Sequence, residues 1–181
     1  IQEQKDELIM LLDSVKAANA NTVYFQVRGR CDAIYKSSYE PWSSDLVATR
    51  GMDPGYDPLL FAVEEAHKRG IEIHAWFNPY RYESVLHQWD GTPQNYRESH
   101  PEWLLDYSDG SILNPAMPEV RDHITAIIQE VVQNYDIDGV VFDDYFYMSG
   151  TTDDMDDELY QQSNPDNLSR ADWRRQNVNK L

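Results

Sequence analysis

The sequence predicts an α/β fold, namely part of a (β/α)8 TIM barrel, and three observations favour this architecture. Helical patterns alternate with short apolar strands along the chain, which is the order that builds a parallel sheet through right-handed crossovers. Each of the two longer strands has one apolar and one polar face. No glycine-rich nucleotide fingerprint follows any strand, which weakens a doubly wound nucleotide-binding fold.

The first helix-strand unit lies at the start of the chain. A helix is predicted over residues 2–18 and a strand over residues 22–28. The helix is indicated by apolar residues that recur at helical spacing: Leu8, Leu11, Leu12 and Val15.

The second unit has clear helix boundaries. Asp57 is a good N-cap, Pro58 suits the first helical position, and Gly70 is a typical helix-ending residue. The strand that follows covers residues 71–78.

The third unit begins near Pro118 and ends with a strand over residues 139–143. Its helix carries one apolar face: Val120, Ile124, Ile127, Ile128 and Val131. Ser169 then predicts the N-cap of a further helix through Trp173 and Asn177.

Alternation within the strands favours a barrel over a doubly wound sheet. The predicted helix-facing side chains are Val23, Phe25, Val27, Ile71, Ile73, Ala75 and Phe77. The opposite face is polar: Gln26, Arg28, His74, Trp76 and Asn78. A sheet covered by helices on both faces would be apolar on both, whereas a polar second face suits a barrel lumen that opens into a site.

Two long segments follow strands, of about 30 residues after the first strand and about 40 between Pro79 and Pro118, and loops of this length are usually functional. Residues 103–105 and 111–113 flank a turn at 108–110, which predicts a small hairpin in the second segment. Both segments start at the C-terminal end of a strand, where barrel active sites are built.

The chain has 181 residues and supplies three such units, whereas a complete barrel has eight units in about 250 residues. It starts on a helix and stops inside a helix. We therefore expect residues 1–181 to be a single segment of a longer barrel domain, without the opening strand and the later half.

Composition excludes several partners. The net charge is −17, from 32 acidic and 15 basic residues, so nucleic acids and anionic membrane surfaces are disfavoured. No apolar run approaches the roughly 20 residues of a membrane helix. The single Cys31 cannot form an internal disulfide or a thiolate cluster, and no pattern around it indicates a nucleophile. The acidic run at 153–158 lacks calcium-loop spacing and indicates a solvated loop.

Asp143 and Asp144 end the third strand and are the candidate catalytic residues. A carboxylate at the C-terminal end of a barrel strand is a usual catalytic placement. Because side chains alternate, only one of the two can face the lumen, and we expect it to be Asp143, with Asp144 at the rim. The alternative is an Asp that caps a loop or pairs with Arg28 or Arg81.

The polar strand ends suggest carbohydrate binding. Gln26, Arg28 and Arg30 are candidates to bind substrate or to keep the catalytic carboxylate ionised, with a structural ion pair as the alternative for Arg28. The candidates along the second strand are His74 and Asn78 for sugar hydroxyls and Trp76 for stacking, although Trp76 can equally fill the barrel core. Just beyond the strand ends, three residues are expected to line a cleft: Tyr80, Arg81 and Tyr145. His74 with Asp143 lacks a visible third metal ligand, so neither a metal nor a cofactor is predicted.

Four stretches resemble the glycosyl-hydrolase-like 10 family: residues 21–30, 74–81, 100–105 and 138–147. The resemblance covers nearly the whole chain, in order. It implies a (β/α)8 fold in which the three strands are about numbers two to four. It also implies an extracytoplasmic protein of bacteria, secreted or often a lipoprotein of the cell envelope. The implied activity is a carboxylate-based hydrolysis of glycans, including peptidoglycan strands.

The family is distantly similar to the α-amylase type, and this likeness implies specific roles. The third strand of that type ends in an Asn, here Asn78, but His74 stands where that type has Asp. The fourth strand ends in the nucleophile, here Asp143. The general acid is then expected on a fifth strand beyond Leu181, so the isolated segment is expected to be inactive. Two alternatives stay open: a non-catalytic glycan-binding barrel, and a metal-dependent polysaccharide hydrolase or deacetylase.

Overall fold

The structure is a computed structural model that describes residues 1–84, 95–144 and 146–181. Two sheets organise these residues. The first is parallel and contains β1 (Thr22–Arg28), β2 (Glu72–Phe77) and β6 (Gly139–Phe142), in the order β1-β2-β6. The second is antiparallel and contains β3 (Arg81–Ser84), β4 (Leu104–Tyr107) and β5 (Gly110–Leu113), in the order β3-β5-β4.

The helices of the described residues lie between and after these strands: α1 (Gln2–Ala17), α2 (Ser44–Val47), α3 (Pro58–Lys68), α4 (Tyr96–Ser99), α5 (Pro118–Asn134), α6 (Asp157–Ser163) and α7 (Arg170–Val178). Short 3-10 turns cover Pro101–Trp103 and Asp153–Met155. None of the described helices combines the length and the apolar character needed to cross a bilayer.

The helix boundaries follow the capping chemistry of the sequence. The Asp57 carboxylate accepts the Leu60 backbone N–H at 3.0 Å, and Gly70 ends the helix with φ of +65°. A residue with a side chain is strained at that φ, which is why glycine suits the position. Ser169 caps α7 through the Asp172 N–H, as predicted.

One face of the parallel sheet packs against α1, α3 and α5, as the alternation predicted. Buried side chains of the strands and helices form one core: Leu12, Val27, Leu59, Ala62, Val63, Ala66, Ile73, Ala75, Phe77, Ile127 and Val131. Leu11 was expected on this face of α1 but is 54% exposed. Leu8, Leu12 and Val15 pack against the sheet instead, because Leu11 falls at the flank of their helical stripe.

The opposite face of the parallel sheet is open. Tyr24 and Gln26 on β1 are exposed, and His74 and Trp76 on β2 are half-buried. Among the described residues the sheet has three strands and does not close into a barrel. The parallel pairing and one-sided helical cover are those expected of a barrel segment.

The predicted hairpin is confirmed as β4 and β5, which pair from Leu104↔Leu113 to Tyr107↔Gly110. The sequence did not reveal that β3 adds to it, with Arg81 paired to Ile112. Gly110 is required by this packing, because a side-chain carbon there would collide with the Glu83 carbonyl oxygen.

The prediction of a solvated acidic loop is wrong for Asp156. Its side chain is buried and pairs with Arg170 at 2.9 Å and Arg174 at 2.6 Å. Asp157 also pairs with Arg170, at 2.5 Å. A buried carboxylate requires such partners, so the acidic run anchors the segment to α7.

Candidate functional site

A shallow pocket lies at the C-terminal edge of the parallel sheet. It has a volume of about 250 Å³ and is lined by Tyr24, Trp76, Val141, Phe142 and Asp143. The pocket therefore collects side chains from all three parallel strands at the edge where barrel active sites form.

Strand register explains why Asp143 reaches this pocket. Trp76 pairs with Val141 and Phe77 with Phe142, and the Asp143 N–H extends the ladder to the Phe77 carbonyl at 3.2 Å. Side chains alternate along a strand, so Asp143 lies on the same face as Val141, which lines the pocket. Asp143 is exposed, and none of the described residues makes a hydrogen bond or ion pair with its carboxylate.

Asp144 has a different environment from its neighbour. Both of its carboxylate oxygens accept hydrogen bonds from the Arg81 guanidinium, Oδ2 from Nε and Oδ1 from Nη2. Only 11% of the Asp144 side chain is exposed, and its φ is +91°, a conformation that costs a non-glycine residue roughly 1–3 kcal/mol. Asp144 was a candidate catalytic residue, with pairing to an Arg as the alternative. The structure shows that alternative, because Asp144 pairs with Arg81.

Arg28 is completely buried and does not serve Asp143. Its Nη2 contacts Glu40 at 2.8 Å and its Nε contacts the same oxygen at 3.0 Å. The remaining N–H groups donate to the carbonyls of Asn78 and Pro79 and to the Cys31 sulfur. A guanidinium has five N–H donors, and these contacts use all of them. The expectation that Arg28 binds substrate or keeps Asp143 ionised is therefore replaced by a structural ion pair.

Glu40 is one residue that sequence reasoning did not identify. It lies in the long segment after β1, and burial raises its pKa while the Arg28 guanidinium opposes that rise. Its second oxygen, Oε2, is buried and has no hydrogen-bond partner among the described residues. The only sequence signal was that a buried Arg needs an anion, which does not select Glu40 from the other carboxylates of that segment.

Two predicted binding residues lie in β1 and just after it. Gln26 is exposed. Arg30 is half-buried, and its Nη2 contacts Asp45 at 2.8 Å. Their role in substrate binding stays a prediction.

His74 lies on the polar face of β2 and contacts Tyr24, one of the pocket residues, although it does not itself line the pocket. Its ring packs edge-on against Tyr24 at 5.6 Å between centroids, and its Nε2 is 3.4 Å from Glu72. The ring also covers Gly139, where a side-chain carbon would approach Nδ1 to 2.6 Å. Among the described residues no three His, Cys, Asp or Glu side chains are grouped as metal ligands.

Trp76 and Asn78 each carry a buried polar atom without a hydrogen-bond partner in the described chain, the indole Nε1 and the amide Oδ1. The Asn78 Nδ2 donates to the Gly29 carbonyl at 3.2 Å. Buried polar atoms are normally paired. Of the two residues, Trp76 lines the pocket, and the role of both in sugar binding stays a prediction.

Tyr80 was expected to line the cleft but is part of the core. Its side chain is fully buried against Phe146, with ring centroids 6.1 Å apart, and burial raises its pKa to about 12. Tyr145, also expected to line the cleft, lies outside the described residues.

Cys31 is a structural residue. Its thiol donates to the Arg81 carbonyl at 3.3 Å and accepts from Arg28. Burial raises its pKa to about 12, so the thiol stays protonated at neutral pH and is not an activated nucleophile.

Tyr24 is a pocket residue that was not predicted. Its side chain is 64% exposed and forms one wall of the pocket. The signal was present in the sequence, because strand alternation places Tyr24 on the same face as Gln26. An exposed aromatic ring beside a carboxylate is a common feature of sugar-binding surfaces, where the ring stacks on apolar C–H faces.

The chain is similar to glycosyl hydrolases along its whole length. The glycosyl hydrolase-like 10 family model matches residues 1–181. Among curated proteins, the glycosyl hydrolase YngK of Bacillus subtilis is 44% identical over 186 residues, covering 100% of this chain and 36% of that protein. The glycosyl hydrolase DigH of Escherichia coli K12 is 40% identical over 188 residues, covering 98% of this chain and 43% of that protein. The chain thus spans less than half of either relative.

Solved structures show the same arrangement of elements at low identity. The α-L-fucosidase isoenzyme 2 from Paenibacillus thiaminolyticus superposes with a TM-score of 0.61 and 17% identity, over 99% of this chain and 25% of that one. An α-fucosidase from Thermotoga maritima in complex with fucose superposes with a TM-score of 0.51 and 14% identity, over 86% of this chain and 33% of that one. These likenesses concern the fold.

Proposed function

The chain belongs to the glycosyl hydrolase-like 10 family, and from this membership we propose that it forms the substrate-binding half of a glycoside hydrolase barrel. The proposed substrate is a polysaccharide of the bacterial envelope, with peptidoglycan glycan strands as the first candidate. The proposed location is extracytoplasmic, in the periplasm, on a lipid anchor or secreted. Family membership and the relatives, which are glycosyl hydrolases, support the hydrolase part of this proposal. The substrate and the location rest on the family resemblance.

One observation carries the catalytic assignment. Asp143 is an exposed carboxylate at the C-terminal end of a parallel strand, beside an aromatic-lined pocket. None of the described residues neutralises it. A carboxylate in that position can attack an anomeric carbon as a nucleophile or activate a water as a general base. We assign Asp143 to this role.

Glycoside hydrolysis requires a second carboxyl group that protonates the leaving oxygen. Asp143 is the one carboxylate among the described residues that line the pocket, and Asp144 is engaged by Arg81. Because the described pocket residues supply no second free carboxyl group, we propose that the general acid comes from another part of the barrel.

The pocket also supports a second candidate, a glycan-binding barrel without catalysis. Tyr24 and Trp76 expose aromatic surface on the open face of the sheet, and stacking on sugar rings needs no second carboxyl group. The two functions differ in product formation and not in binding.

The proposal is tested by digestion of glycans with the full-length protein. Peptidoglycan strands with and without stem peptides, and a panel of bacterial oligosaccharides, are incubated with wild type and with Asp143→Asn, and products are identified by mass. Hydrolysis by wild type that disappears in the variant supports the assignment. Binding without products from wild type identifies the glycan-binding alternative, and equal turnover by both proteins refutes the role of Asp143.

A further inference from the structure

We propose that Arg81 and Asp144 form a clamp that positions Asp143, and that neither acts as a sugar-binding or proton-transferring residue. The proposal rests on the proposed function of Asp143. It assigns to the antiparallel sheet the task of holding the end of β6, the strand that presents the carboxylate to the pocket.

The contact between the two side chains is bidentate. The Arg81 guanidinium donates through Nε to one Asp144 oxygen and through Nη2 to the other. Two parallel hydrogen bonds between planar groups restrict both distance and orientation, which a single-point contact does not. The exposed fractions of the side chains are 27% for Arg81 and 11% for Asp144, so the pair is partly shielded from water.

Arg81 is attached to a rigid frame. It lies in β3, pairs with Ile112 of β5, and its carbonyl accepts the Cys31 thiol at 3.3 Å. Cys31 is in turn contacted by the buried Arg28. The backbone that carries the guanidinium is therefore held from two sides.

Asp144 lies on a backbone that needs to be held. Strand β6 ends at Phe142, and the Asp143 N–H makes the last ladder bond, to Phe77 at 3.2 Å. The next residue has φ of +91°, in a region that L residues rarely adopt. A strained residue persists where its surroundings determine its conformation, and the clamp is the contact that does so here.

The geometry argues against direct roles for the two residues. Both Asp144 oxygens accept from the Arg81 guanidinium, so the carboxylate is oriented toward the protein and neither oxygen is directed at a sugar. The guanidinium face that meets Asp144 is likewise not available to a sugar. A shift of about 1 Å in a reacting group can cost on the order of 100-fold in rate, so holding Asp143 is a sufficient role.

The kinetic test uses a double-mutant cycle in the full-length protein. Arg81→Gln and Asp144→Asn are each expected to lower kcat by about 10- to 100-fold with KM changed little. The double variant is expected to be no slower than the slower single variant, because both changes break the same contact. Arg81→Lys, which keeps the charge but loses the bidentate fork, is expected to retain more activity than Arg81→Gln.

A matched control is Arg69→Gln. Arg69 is a similarly shielded Arg paired with Asp13 and Glu65, both at 2.7 Å, near the opposite edge of the sheet. This variant is expected to leave kcat unchanged. Multiplicative losses in the cycle, or a rise in KM without a fall in kcat for Arg81→Gln, would overturn the clamp in favour of independent catalytic or sugar-binding roles.

A second readout does not depend on activity. Hydrogen exchange of peptides that cover residues 139–144 is followed by mass spectrometry in the same full-length variants. Arg81→Gln, Asp144→Asn and the double variant are expected to speed exchange of the Asp143 amide equally, and Arg69→Gln to leave it unchanged. Unchanged exchange in the clamp variants overturns the proposal even if wild type proves not to hydrolyse glycans, whereas a failure of Asp143→Asn to lose activity overturns only the proposed function.

Discussion

Asp138 directly precedes strand β6 and Asp143 directly follows it, and these two aspartates have opposite environments. Asp138 precedes the strand and accepts the Ile73 N–H at 2.8 Å and His67 Nε2 at 2.9 Å. The Ile73 hydrogen bond and then His67 hold the pKa of Asp138 below its ordinary value. Asp143 follows the strand, is exposed, and faces the pocket with Tyr24 and Trp76.

The difference teaches how the two edges of one sheet divide their tasks. At the N-terminal edge, Asp138 has partners within the chain, and these partners join α3, β2 and β6. At the C-terminal edge, Trp76 Nε1 and Asn78 Oδ1 are buried without partners in the described chain, and the Asp143 carboxylate faces solvent. A group that the protein has already satisfied holds the fold, whereas the exposed Asp143 carboxylate beside the pocket is available to a ligand.

The largest expected effect separates the two aspartates directly. In the full-length protein, Asp143→Asn is expected to lower glycan cleavage by about 1,000-fold or more, because it removes the attacking or activating carboxylate. Asp138→Asn is expected to stay within a few-fold of wild type, because it changes the edge remote from the pocket. The two variants are compared by initial rates of glycan cleavage, measured with one substrate at saturating concentration. Equal losses in both variants would contradict the different roles assigned to Asp143 and Asp138.

The next effect concerns stability at the C-terminal edge. Glu40→Gln leaves the buried Arg28 without its anion and is expected to lower the free energy of unfolding by about 3–5 kcal/mol. Urea unfolding of the full-length protein measures it. The paired replacement Arg28→Met with Glu40→Leu is the control, because removing both charges is expected to recover most of the loss. A loss below about 1 kcal/mol in Glu40→Gln would show that Arg28 is neutralised elsewhere.

A smaller effect is expected where β6 begins. Gly139→Ala places a carbon 2.6 Å from His74 Nδ1 and 2.8 Å from Cε1, and such overpacking costs about 1–3 kcal/mol. His74→Ser in the same protein is expected to relieve the clash, so the two substitutions are not additive. Additive losses in urea unfolding would place the cause in the backbone of Gly139 and not in the His74 ring.

The smallest effect is a pH dependence that belongs to Asp138. Because its pKa is lowered in the folded state, its contribution to stability is present at neutral pH and is lost as the pH falls below about 4, through the folded pKa. The difference in urea midpoint between wild type and Asp138→Asn is therefore expected to shrink from about pH 6 to about pH 3. A difference that stays constant over this range would mean that the Asp138 charge does not contribute.

Much of the fold was predictable because its signals are local. The Asp57 cap, the Pro58 start, the Gly70 stop and the Ser169 cap were all confirmed. Helix-facing alternation and the hairpin were confirmed as well. The prediction that Leu11 faces the sheet was wrong for a related reason. Helical spacing identifies the apolar face of a helix but not how wide a stripe of that face the sheet covers.

The candidate site was less predictable, because its roles depend on partners. Arg28 was expected near Asp143, yet Glu40 neutralises it. Tyr80 was expected in the cleft but is buried in the core. Neither outcome has a periodic signal, since both residues lie where a strand gives way to irregular chain.

The sequence by itself determined the α/β elements, the polar face of the parallel strands and the family. Capping, hydrophobic period and alternation depend on neighbouring residues, so they can be read without the fold. Only the tertiary structure decided which acidic residue meets which basic one. Asp144 and Arg81 are 63 residues apart, and Asp138 lies 65 residues from the Ile73 amide it holds. An ion pair is selected by distance and burial in space. These separate Asp143, which has no ion-pair partner among the described residues, from Asp138 and Asp144, the paired aspartates at the two ends of β6.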